Sequence, residues 1–127
     1  MTTSAAPGYS AEPPEDEWSP VRQAVELQDV ELLARLLDDG ADPNEIYRGM
    51  TLLLHAIDVE GDSALQSGGP LTVATTAVLL AYGADPRLSG APGGQTPLAL
   101  AERYHHDLAL RLLRRHMSNL PDVHDAG

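Results

Sequence analysis

Gly40-Ala41-Asp42-Pro43-Asn44 is repeated 43 residues later as Gly83-Ala84-Asp85-Pro86-Arg87. Each copy follows an apolar pair, Leu36-Leu37 before the first and Leu79-Leu80 before the second. A phrase that returns in the same local context marks a repeat architecture, in which each unit buries its apolar face against its neighbours. A second phrase opens the units: Ser19-Pro20-Val21, Thr51-Leu52-Leu53 and Thr96-Pro97-Leu98. Its hydroxyl residue suits a helix N-cap, Pro suits the first helical position, and the apolar residue that follows faces the core. The unit reads as hydroxyl cap, helix, short break, second helix, glycine stop and extended turn.

Outward from these phrases, apolar spacing predicts helix pairs over 19–27 and 30–38, 51–59 and 71–82, and 96–104 and 108–116. Gly40 supplies the left-handed stop after the first pair. The middle unit is irregular. Thr51 to Gly83 spans 32 residues, whereas Ser19 to Gly40 spans 21, an excess of 11. The excess falls in 60–70, where Gly61, Gly68, Gly69 and Pro70 give the composition of a loop, with room for one helical turn at Asp62 to Gln66. Thr72, Thr75 and Thr76 are weak helix formers, so packing must hold the helix that follows.

These residues resemble the ankyrin repeat, whose units carry Thr-Pro-Leu-His at the first helix and Leu-Leu, then Gly-Ala-Asp, after the second. The match runs through Ser19-Pro20-Val21, Ala24-Val25, Leu36-Leu37 and Gly40-Ala41-Asp42, and covers about residues 18–117 in three units. The resemblance implies an all-α fold: an ankyrin-repeat solenoid of helix–turn–helix units joined by extended hairpin-like turns. The expected organisation is a disordered acidic tail over 1–17, a repeat domain over 18–117 with its insertion near 60–70, and a C-terminal tail over 118–127. The family's His, which bridges neighbouring turns, is replaced by Arg22, Leu54 and Ala99. That predicts a reduced polar network between units.

Nineteen acidic residues against eight basic ones, all Arg, give a net charge of −11. Such a surface opposes non-specific binding to nucleic acid or an anionic membrane. It suits either solubility or a basic protein partner. With no Cys there is no disulfide framework and no thiolate metal site. No apolar run approaches the about 18 residues that a membrane span needs. The first residues have neither the basic nor the apolar stretch of a signal peptide, so a cytoplasmic protein is expected.

Nothing in the chain carries a phosphate-binding loop, a dinucleotide fingerprint or a nucleophile elbow. His105-His106-Asp107 reads as a break between helices, because adjacent helical side chains point about 100° apart and do not converge on one ion. His55 and Asp58, three residues apart, read as a surface pair. The expectation is therefore no enzyme, no cofactor and no metal. The resemblance implies protein binding through the finger-like turns and the exposed ends of the first helices. Those positions are Tyr47, Arg48 and Met50 in the first turn, Gln95 in the second, Glu26, Asp58, Val59, Arg103 and Tyr104 at helix ends, and Trp18 at the start of the first unit. Trp18 reads either as a lid on the open end of the stack or as an interface anchor. The runner-up is an acidic, immunity-type inhibitor that neutralises a basic enzyme or toxin. A monomer is the default state.

Overall fold

The computed structural model of the chain describes residues 18–119. The expected tail over 1–17 and most of that over 118–127 lie outside the described residues. The described chain is mostly helical. In order it forms α1 (Pro20–Leu27), α2 (Val30–Asp38), β1 (Ile46–Tyr47), β2 (Met50–Thr51), α3 (Leu52–Ser67), α4 (Ala74–Ala81), α5 (Pro97–Arg103) and α6 (Asp107–Asn119).

The three hydroxyl residues cap their helices. Ser19 Oγ accepts from the Arg22 amide, Thr51 Oγ1 from Leu54 and Thr96 Oγ1 from Ala99. Each such cap stabilises by about 1 kcal/mol. Pro20 and Pro97 occupy first-turn positions, where no amide proton is needed. The duplicated glycine phrase is also joined to itself: Asn44 Oδ1 of the first copy accepts from the Asp85 amide of the second at 2.7 Å.

α1 packs on α2 and α3, α3 on α4 and α5, and α5 on α6, while α2 packs on α4 and α4 on α6. Thus α1, α3 and α5 form one layer and α2, α4 and α6 the other. Val25, Leu33, Leu52, Ile57, Leu79, Leu100 and Leu113 are buried in the core.

The 60–70 stretch is not a loop as far as Ser67. α3 runs unbroken for 16 residues, through Gly61, and stops at Gly68 with φ 72. Only the segment between Gly68 and Val73 connects it to α4, which begins at Ala74 instead of Leu71. Glycine inside a helix costs about 1 kcal/mol relative to Ala, and tertiary contacts override it here. Glu60 and Gly61 are both buried. α4 has no side-chain cap of its own at Val73. Glu60 reaches across from α3 to cap it, accepting from the Thr76 amide at 3.1 Å and from Thr76 Oγ1 at 2.8 Å. His106 Nε2 lies 3.2 Å from the same carboxylate and 2.8 Å from the Thr72 carbonyl oxygen. With Nε2 donating, His106 Nδ1 accepts from the Ala109 amide at 3.4 Å and so caps α6. One carboxylate therefore links three helices.

At one of the three replaced positions, 22, a polar network does form. Arg22 is 1% exposed. Its guanidinium donates to Glu45 Oε2 at 3.1 Å, the Glu45 carbonyl at 3.2 Å, the Met50 carbonyl at 2.9 Å and His55 Nδ1 at 3.0 Å. Burial pulls its pKa below the ordinary value, and the Glu45 carboxylate acts in the opposite direction. The long Arg22 side chain performs the bridging, because five donors in a fork satisfy several acceptors at once.

Glu60→Ala would strand two buried donors, the Thr76 amide and hydroxyl, while His106 Nε2 keeps the Thr72 carbonyl. It should lower stability by about 3 kcal/mol, read from a urea unfolding midpoint. Glu60→Gln keeps an acceptor for the Thr76 amide and should recover at least half of that loss. Equal effects of the two variants would show that the carboxylate does not hold the helices together.

Candidate functional site

β1 and β2 pair antiparallel, with Ile46 opposite Thr51 and Tyr47 opposite Met50. Arg48 and Gly49 make the two-residue turn with φ 52 and φ 78. Positive φ at both centres is the type I′ arrangement, which favours Asn-Gly. Arg in the first position carries a steric cost that Asn or Gly would not. The second connecting turn lies directly against this hairpin. A Cβ on Gly90 would collide with the Gly49 carbonyl, so the close approach requires glycine.

The hairpin tip, the second turn, the first half of α3 and the end of α5 line a cleft of about 280 Å³. Arg48 and Met50 line it from the hairpin and Gln95 from the second turn. Asp58 of α3, Arg103 of α5 and Tyr104 just after α5 complete it. Six of the ten residues expected to meet a partner are thus gathered around one depression. Tyr104 Oη donates to Asp58 Oδ1 at 2.8 Å, and Arg103 Nη1 donates to Gln95 Oε1 at 2.9 Å. Burial pushes the Tyr104 pKa up to about 12, helped by the hydrogen bond to Asp58 and the charges of Asp58 and Asp62, with Arg103 opposing. The Tyr104 ring lies against Gly61, where a Cβ would overlap it. The glycine that reads as a loop residue is a seat for this ring.

The other four residues lie elsewhere. Tyr47 is half-buried, with the Arg22 and Arg48 guanidinium carbons 5.9 and 5.3 Å from its ring centroid. Val59 is half-buried on α3 and does not line the cleft. Trp18 and Glu26 flank a separate hollow of about 60 Å³. Both also engage His55: Trp18 edge-on, with centroids 5.5 Å apart, and Glu26 through Oε1 at 2.7 Å from Nε2. His55 is therefore not a surface partner of Asp58. It is buried and bonded to Arg22 and Glu26, and Asp58 turns to Tyr104.

The extension of α3 builds a second depression of about 350 Å³, lined by Gly61, Ala64, Leu65, Gly68, Gly69, Leu71 and Tyr104. Its lining was not expected. The signal for it in the sequence is the pair Leu65 and Leu71, apolar residues inside a segment whose glycines read as loop. Among the described residues no group of three or more His, Asp or Glu is placed to hold a metal ion. No protein-family model matches the chain, and no curated protein matches it.

Two measurements follow from this geometry. The folded state holds the Tyr104 proton more tightly than the unfolded chain, so the stability from this group is complete below about pH 10 and lost as pH rises through about 12. Tyr104→Phe should flatten the fall of the urea midpoint across that window. An unchanged slope would remove Tyr104 as its source. In the hairpin, Arg48→Asn should stay within about 0.5 kcal/mol of the wild type, whereas Arg48→Val should cost more than about 1 kcal/mol, because a β-branched residue is strained at positive φ. Thermal denaturation of both variants reads the difference.

Proposed function

We propose that the chain is a three-unit ankyrin-repeat protein that binds another protein through the cleft between its hairpin, second turn, α3 and α5, without catalysis of its own. The two duplicated phrases and the two layers of paired helices support the repeat reading. One observation carries the functional reading. Residues separated by up to 56 positions, from Arg48 to Tyr104, line one open depression that holds Arg and Tyr, two of the residue types enriched at protein-binding hot spots.

The polar groups of the cleft suit contact better than chemistry. Tyr104 is held by Asp58 and Arg103 by Gln95. His55, the nearest titratable imidazole in sequence to the cleft's Asp58, is occupied on both ring nitrogens. Side chains held in fixed positions by such bonds suit recognition. A second reading is an acidic inhibitor of a basic enzyme or toxin, favoured by the net charge of −11. Electrostatic steering would then give an on-rate that falls steeply with ionic strength.

The test is capture from a lysate of the native host, with wild type beside an Arg103→Ala/Tyr104→Ala variant shown by circular dichroism to be folded. A partner retained by the wild type should be lost at least about tenfold with the variant, the loss expected when hot-spot residues are truncated. A partner kept equally by both proteins would move the interface away from the cleft.

A further inference from the structure

The sign of charge inside the cleft is opposite to that of the whole chain. Its charged lining consists of Arg48, Arg103 and Asp58, one net positive charge within a protein of −11. Asp58 already spends one oxygen on Tyr104. Arg103 uses Nη1 on Gln95, and its planar fork carries further N–H donors suited to a carboxylate. Arg48 stands at positive φ in a turn that prefers Asn. A side chain kept at a strained backbone position points to use of that side chain.

Tyr104 lines both this cleft and the depression built by the extension of α3. The second depression is apolar and uncharged, and Leu65 on its wall is 74% exposed. A basic compartment and an apolar compartment therefore adjoin across one tyrosine ring. In an extended peptide, residues i and i+2 project to the same side about 7 Å apart, enough for one such pair to straddle the ring.

Resting on the function proposed above, we infer that this surface selects an acidic partner segment: an extended peptide with an Asp or Glu two positions from an apolar side chain. The carboxylate meets Arg103 and Arg48, and the apolar side chain enters the depression beside Leu65 and Leu71. The eleven-residue insertion thereby becomes the specificity element. It adds the apolar half of the site and, through Gly61, seats the ring that divides the two halves. The chain's overall negative charge repels such a segment at long range, but exposed charges more than about 8 Å apart are largely screened at physiological ionic strength. Contact, not steering, then decides the choice of partner.

Selection from a library of random displayed dodecapeptides against the full-length chain tests this, followed by fluorescence anisotropy on the enriched sequences. The expected result is enrichment of an apolar residue and a carboxylate at i, i+2 spacing. Arg103→Glu should weaken these peptides at least tenfold and favour their Lys-substituted versions. Leu65→Asp, an exposed substitution that leaves the core intact, should weaken them without reversing the charge preference. Enrichment of basic peptides that are lost with Tyr104→Ala would overturn the inference and leave the cleft as the binding site. Peptides unaffected by Tyr104→Ala, or no enrichment at all, would overturn the inference together with the function on which it rests.

Discussion

A single buried carboxylate sets how the middle of the molecule is arranged. Removing Glu60 from water costs several kcal/mol unless its oxygens are fully engaged. Two donors from Thr76 and one from His106 engage them. The Thr76 amide belongs to the first turn of α4, where the helix dipole also favours negative charge. α4, rich in threonine and lacking a local cap, is held at its start by a residue of the preceding helix. Once Glu60 is fixed on α3, that helix must continue past the point where the other first helices stop. Gly61 then comes to lie beneath Tyr104, and the depression around Leu65 follows.

The repeated phrases predict the helix pairs, the three hydroxyl caps and the glycine stops, because each of these depends on a few neighbouring residues. The insertion is the opposite case. Glu60-Gly61-Asp62-Ser63 has the composition of a turn, and its helical state depends on Thr76, His106 and Tyr104, which are between 13 and 46 positions away. Arg22 shows the same limit. Its place in the phrase is legible, yet the absence of His there reads as a missing bridge until Glu45, Met50 and His55 are seen around the guanidinium. His55 and Asp58 share a helical spacing that suggests a pair, but each finds a stronger partner on another element. Long-range polar pairing escapes periodicity, which records only the face that a residue occupies. The cleft was legible in part for the same reason. Arg48, Met50, Asp58, Gln95, Arg103 and Tyr104 sit on turns and helices that the helix packing brings together, whereas Trp18 and Glu26 are drawn to His55.

The placement of arginine separates local from global electrostatics. Eight arginines cannot offset nineteen acids, so their positions matter more than their number. Arg22 is spent inside on structure. Arg114 approaches Glu102 at 3.8 Å with both side chains largely exposed, an ion pair worth less than about 1 kcal/mol. Arg48 and Arg103 stand at the cleft instead, with one Asp58 oxygen engaged by Tyr104. A net charge of −11 therefore describes how the molecule behaves at a distance, and the cleft describes what it can hold once in contact.

The hairpin connects this electrostatic contrast to the backbone. A type I′ turn is the shortest connection that matches the twist of two antiparallel strands, and it demands positive φ at both central residues. Gly49 meets that demand without cost. It also leaves its carbonyl open to Gly90, so the second turn can close against the first. Arg48 meets it with strain, although Asn would fit the backbone better. Its guanidinium lies 5.3 Å from the Tyr47 ring centroid, a contact worth about 0.5–1 kcal/mol at an exposed site, less than the about 1–2 kcal/mol that a left-handed backbone costs an ordinary residue. That contact offsets part of the cost, and the same side chain also lines the cleft. Arg48 and Arg103 line one cleft, and this ties the strained turn to the surface for which a carboxylate partner is proposed.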